Sequence, residues 1–179
     1  MKAVQARTRF AELETCSDGL CLSFHVPREI TLGSKLRGKG LRQLISRTLR
    51  QAKPLSLSAR GDYISAMFEP SEPEEDLKRL MEELDRRADE FRKERLHPRI
   101  VEELLGISSK ERRRWIKDGR LPISGSGSFR RGKQVIQFPL HPPGKIALLL
   151  DQPDVIAEWR ERDLHEAPVS DPRSSQPGN

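Results

Sequence analysis

The stretch that decides the fold is Val101-Glu102-Glu103-Leu104-Leu105-Gly106-Ile107-Ser108-Ser109-Lys110-Glu111-Arg112-Arg113-Arg114-Trp115-Ile116-Lys117-Asp118-Gly119-Arg120-Leu121-Pro122. Val101, Leu104 and Leu105 share one face of a short helix. Gly106 follows where the chain must leave that helix, and glycine enters the left-handed conformation without the steric cost that a Cβ imposes. Ile107 anchors the turn. Ser108-Ser109-Lys110-Glu111 has the form of a capping box, in which the Ser108 hydroxyl and the Glu111 carboxylate satisfy opposite backbone N–H groups. A second helix then runs to about Asp118, where Gly119 stops it. Helix, glycine turn and helix in this order predict a helix-turn-helix from Arg99 to Pro122.

At roughly 100° per residue, positions 112, 115, 116 and 119 of the second helix fall on one side, and Trp115 with Ile116 makes that side the buried one. Lys110, Arg114 and Lys117 lie opposite, flanked by Arg113. A helix with its cations opposite its core face suits a groove lined by phosphates, and long Arg and Lys side chains reach guanine edges there. Beyond it, Phe129-Arg130-Arg131, a Gly132-Lys133 turn and the run Gln134 to Phe138 predict a β-hairpin with Arg130, Arg131 and Lys133 near its tip. Such a wing touches groove and backbone together with the helix.

Val101 to Pro122, with the arginine-bearing hairpin behind it, resembles the winged helix-turn-helix of MerR-type regulators and phage excisionases. The motif stands as Leu104-Leu105-Gly106-Ile107-Ser108, then Trp115-Ile116, then Gly119-Arg120-Leu121-Pro122, and it covers about 40 of the 179 residues. The resemblance implies double-stranded DNA as partner, contacted by Ser109, Lys110, Arg113, Arg114 and Lys117, with Arg130, Arg131 and Lys133 in the wing. Nothing resembling the MerR effector region is present. Two positions depart from the pattern: Glu102 stands where the family carries Ala, and Arg112 where it carries an aliphatic residue. Opposite charges at these two positions predict an interhelical ion pair, Glu102 with Arg112, which makes Arg112 structural and not a base reader.

Charge is distributed to match. The net charge is +6, yet His97 to Leu150 alone holds eleven Lys or Arg against four acids, a net +7. Glu72 to Leu96 carries ten acids against seven bases. A local basic surplus is what a binding surface requires.

The remaining segments predict an α+β protein. Ala6 to Glu14 and Leu20 to Val26 alternate apolar with polar residues around Ser17-Asp18-Gly19, which reads as a β-hairpin with Cys16 opposite Cys21. Gly38 and Gly40 precede an apolar helical face of Leu41, Leu44, Ile45, Thr48 and Leu49, whose other side carries Arg42, Arg47 and Arg50, after Lys35, Arg37 and Lys39. Leu55 to Ala59 and Tyr63 to Phe68 form a second hairpin around Arg60-Gly61-Asp62. Residues 1–69 are therefore expected to form a ββαββ-type domain. Residues 70–96 form an amphipathic connecting helix capped by Ser71, residues 97–166 the winged domain, and residues 167–179 a disordered Pro- and Ser-rich tail. In the connecting helix Leu77, Met81, Leu84, Ala88 and Phe91 make a two-heptad seam, which either pairs with its copy in a homodimer through helix 74–96 or lies on the chain's own sheet.

Catalysis finds little support: His25, His97, His141 and His165 are scattered, and no nucleophile elbow, phosphate loop or zinc-protease motif occurs. Cys16, Cys21 and His25 fall one ligand short of a zinc site, so neither metal nor cofactor is expected. No apolar run approaches a membrane span, and no leader is legible at the start. The expectation is a cytoplasmic, nucleoid-associated DNA-binding protein of a bacterium, plasmid or phage, acting as a sequence-specific transcriptional regulator. The alternatives are an architectural or accessory factor of excisionase, terminase or replication type, and a protein-binding adaptor on a winged fold.

Overall fold

A computed structural model describes residues 3–165. The expected disordered tail, residues 167–179, lies outside the described residues. The chain runs β1 (Ala3–Arg7), β2 (Ala11–Cys16), β3 (Gly19–His25), α1 (Arg28–Thr31), α2 (Lys35–Gln51), β4 (Ser56–Arg60), β5 (Tyr63–Phe68) and α3 (Glu74–Lys93). It continues through α4 (Pro98–Leu105), α5 (Ser109–Lys117), β6 (Ser126–Arg131), β7 (Gln134–Pro139), α6 (Pro143–Leu150) and α7 (Pro153–His165). The class is α+β, as the patterning requires.

The N-terminal sheet is antiparallel in the order β1-β2-β3-β5-β4. Period-two alternation turns Leu20, Leu22 and Phe24 of β3, and Ile64, Ala66 and Phe68 of β5, onto one face. Leu41, Ile45 and Leu49 of α2 and Leu77, Met81, Leu84 and Ala88 of α3 close over that face in a single core. Each such fully buried aliphatic side chain contributes about 1.5–3 kcal/mol. The heptad seam of α3 is thus spent on the chain's own sheet, and this face is not open to a second copy. Residues 74–93 belong to the N-terminal core and are not a free connector.

Several local expectations are corrected. The strand foreseen at Ala6 to Glu14 is broken in two, because Arg9 N and Phe10 N donate to the Asp85 carboxylate of α3 at 2.8 and 3.2 Å. That bend adds a strand, so the unit has three strands before its helices and is not ββαββ. Cys16 pairs with Gly19 and Cys21 with Glu14 across a two-residue turn, so the cysteines are not opposite each other. Helix α2 begins at Lys35, capped by Ser34, with Gly38 and Gly40 inside it. At Gly40 a Cβ would lie 3.4 Å from the Phe91 ring, at ordinary van der Waals contact, where α3 packs beside α2. Arg37 is 2% exposed and donates to the carbonyls of Ile30, Phe91 and Arg92, which removes it from any outward cationic face. The cap of α3 is Pro73, without a side-chain hydrogen bond, and not Ser71.

A second core gathers Leu96, Val101, Leu105, Ile107, Trp115, Leu121, Ile146, Ile156 and Trp159. Leu32 of the N-terminal unit packs against it in a left-handed conformation, φ 56°. Glu103 of α4 joins the two units by accepting from Ser34 Oγ at 2.6 Å and from Lys35 N at 2.7 Å at the start of α2.

Candidate nucleic-acid interface

Local chemistry sets the two helices as their sequence directs. Gly106 ends α4 at φ 61°, ψ 38°. Ile107 is buried in the turn. Ser108 Oγ accepts from Glu111 N at 3.2 Å, while Ser108 N donates to Glu111 Oε2 at 2.7 Å. Across the helix pair, Arg112 Nε donates to Glu102 Oε1 at 2.8 Å. Arg112 and Trp115 form the buried side of α5.

Ser109, Lys110, Arg113 and Lys117 are exposed on the other sides of α5. Arg114 is placed differently from expectation. It remains half exposed, but its Nε lies 3.2 Å from Asp163 of α7, so its guanidinium is tethered to the protein's own acid. Asp163 also accepts from Trp115 Nε1 at 2.9 Å and from Arg120 Nη2 at 2.5 Å. Burial works to raise the Asp163 carboxyl, but Arg120, Trp115 and Arg114 outweigh it and hold it below the usual carboxylate range. Arg120 further donates to the Trp159 carbonyl and lies over the Trp115 and Trp159 rings, whose centroids are 5.0 Å apart at 75°.

The acids near α5 are consumed in this way. Glu111 takes Arg160 Nε at 2.7 Å, and that bond, with Ser108, brings its pKa down to about 2 against burial. Asp118 takes Arg120. Among the described residues no acidic side chain pairs with Lys110, Arg113 or Lys117, so their charge stands uncompensated toward solvent. Unneutralised cations on a helix whose opposite side is core are free to displace counterions from a polyanion.

The hairpin β6–β7 turns through Gly132 and Lys133, with Arg131 opposite Gln134. Cross-strand pairing puts Phe129, Arg131, Ile136 and Phe138 on one face, and Arg130 and Val135 on the other. Arg130, Arg131 and Lys133 are all exposed. Six residues per strand carry the tip about 20 Å from the root. Three ties fix that root: Ser124 N to Leu140 O at 2.7 Å, the mutual Leu96–His141 backbone pair at 2.8 and 3.0 Å, and His141 Nδ1–H to Pro122 O at 2.8 Å. A Cβ at Gly127 would stand 2.6 Å from the Phe138 ring, which lies 4.7 Å from the His97 ring. The hairpin is therefore seated on the start of α4 and the end of the α5 turn.

Comparison with protein-family models, curated proteins and solved structures gave no match. Among the described residues no group of three His, Cys, Asp or Glu converges as metal ligands, and no helix is long and apolar enough to cross a membrane.

Sequence reasoning missed Arg160 and Asp163. Arg160 spans Glu111 and the Gly106 carbonyl, and Asp163 spans Arg114, Trp115 and Arg120, so α7 braces the whole turn. The available signal was the spacing of Ile156, Trp159 and Asp163, which puts all three on one helical face. The buried His141 carried no such signal, because its partners are backbone groups.

Proposed function

We propose that residues 97–165 are a winged helix-turn-helix DNA-binding module and that the protein is a sequence-specific transcriptional regulator. Helix α5 enters the major groove of double-stranded DNA, with Ser109, Lys110, Arg113 and Lys117 toward the duplex, and the β6–β7 hairpin lays Arg130, Arg131 and Lys133 along the adjoining backbone. Arg114 is shared between the duplex and Asp163. The single observation that carries this reading is the two-sided character of α5. Arg112 and Trp115 are buried, while Lys110, Arg113 and Lys117 point outward with every nearby acid already engaged. The reading invokes no cofactor and no chemistry, and it places the protein with the nucleoid.

The test is selection of bound duplexes from random sequence, followed by fluorescence anisotropy on the selected site. Lys110→Ala/Arg113→Ala/Lys117→Ala, shown to be folded by circular dichroism, is expected to lose binding. Unchanged binding by that variant sinks the reading. A steep salt dependence without a consensus sequence converts the regulator into an architectural factor.

A further inference from the structure

The chain from Ile30 to Gly61 contains eight Lys or Arg and no Asp or Glu. Six of the eight stand on α2, where Arg37 is buried and Lys35, Lys39, Arg42, Arg47 and Arg50 are not. By helical angle Lys35, Lys39, Arg42 and Arg50 fall within an arc of about 80°, with Arg47 at its flank. From Lys35 to Arg50 the row is about 22 Å long. Among the described residues no acid pairs with Lys39, Arg47 or Arg50, and Arg42 meets Asp62 at 3.9 Å.

Helix α3, on the same unit, meets four of its six cations with its own acids. There Lys78 is met by Glu74 and Glu75, Arg86 by Glu83 and Glu90, and Arg87 by Glu83. On α2 the like-charged neighbours Lys35–Lys39, Lys39–Arg42 and Arg47–Arg50 repel instead, each at a cost of about 0.2–0.5 kcal/mol. A concavity of about 420 Å³ beside the row is lined by Gln43, Arg47, Arg50 and Phe91, together with one acid, Glu94. The row is also rigidly mounted. Arg37 ties α2 to the carbonyls at the end of α3, and the Glu103 carboxylate of α4 receives the first N–H groups of α2.

We propose that α2 is a second contact surface for the phosphate backbone of duplex DNA, held in fixed register with α5 because α4 clamps both. A rigid helix about 22 Å long, bearing cations at every turn or two, tracks a line of phosphates without reading bases. This inference takes the identity of the polyanion from the DNA-binding reading above, but it rests on residues which that reading does not use.

The test is anisotropy of the full chain on a duplex of about 40 base pairs across a salt series. Wild type is compared with the folded variants Lys39→Ala/Arg47→Ala/Arg50→Ala and Lys110→Ala/Arg113→Ala/Lys117→Ala. The α2 variant is expected to weaken binding at least tenfold at low salt and to flatten the slope of log K against log salt by about 2.7, close to 0.9 for each lost phosphate contact. Its charge-keeping counterpart, Lys39→Arg/Arg47→Lys/Arg50→Lys, is expected to bind as wild type does. An α2 variant with wild-type affinity and slope, where the α5 variant is defective, overturns this inference and leaves the DNA-binding reading standing. An α2 defect beside an intact α5 variant supports this surface and overturns the role of α5. Failure of wild type to bind any duplex, or α2-dependent binding to anionic vesicles in its place, overturns this inference as well.

Discussion

Arg112 donates to Glu102 at 2.8 Å while itself only 7% exposed. Its Nη1 is buried with no hydrogen-bond partner, so the Glu102 carboxylate is the main compensation for the charge. Removing one member of a buried pair leaves an uncompensated charge, which costs about 3–5 kcal/mol, whereas an apolar pair of similar volume is nearly neutral. Glu102→Ala is therefore expected to lower the unfolding free energy by about 3 kcal/mol in urea titration, and Glu102→Ala/Arg112→Leu to recover most of it. A single-variant loss below about 1 kcal/mol would mark the pair as no stronger than a surface salt bridge.

Glu111 makes stability depend on acid. Its folded pKa of about 2 lies below the ordinary 4.5, because Arg160 and Ser108 donate to the ionised form. Its contribution is fully present above pH 4.5 and is lost as pH falls toward 2. At about 1.4 kcal/mol per unit, discounted for partial exposure, this amounts to about 2 kcal/mol. Glu111→Gln should be less stable at neutral pH and show a flatter decline between pH 5 and pH 2. Parallel curves for the two proteins would refute the assignment.

His141 acts in a different pH window. Burial pushes its pKa below 6.5, and nearby Arg112 adds to this, against the Pro122 carbonyl and Glu102. The unfolded chain takes up this proton first, so the neutral buried ring loses stability for the fold as pH drops below 6.5. In an NMR titration the His141 ring should take up its proton below the ordinary 6.5, and its neutral form should carry hydrogen on Nδ1. A midpoint at or above 6.5 would contradict the buried placement.

Asp163 holds three donors from α5 and the turn after it. Asp163→Asn keeps the shape but surrenders the charge-assisted bonds, each worth about 1.5–3 kcal/mol. The expected result is a loss of about 2 kcal/mol or more in urea, with a changed near-ultraviolet circular dichroism signal from the Trp115–Trp159 pair. An unchanged unfolding curve with an unchanged near-ultraviolet signal would refute the bracing role of Asp163.

The wing's arginines sit on opposite faces of a two-stranded ribbon. Arg130→Ala and Arg131→Ala should therefore differ in their effect on affinity, and neither should alter the preferred sequence, since backbone contacts position without specifying. Equal losses, or a shifted consensus, would argue against the hairpin lying along the phosphates.

Legibility followed the range of the interactions. The Gly106 turn, the Ser108–Glu111 capping box, the Gly132-Lys133 turn and the two-sided α5 all lie within a few residues of their own causes, and the sequence states them. The break at Arg9-Phe10 was invisible because its cause, Asp85, stands 76 residues away from Arg9. Arg114 is a comparable case: helical angle alone places it with Lys110 and Lys117, and only the arrival of α7 ties it down.

Taken alone, the residues determined the class of the elements from α2 to β7 and the side of α5 that is core, since both depend on periodicity and on the fixed geometry of turns and caps. Tertiary structure alone decided which partner the apolar seam of α3 would cover and which cations keep an acid. It also decided that α4 clamps α2 and α5 in one register. Those outcomes depend on pairings between segments far apart in the chain, for which local spacing carries no information.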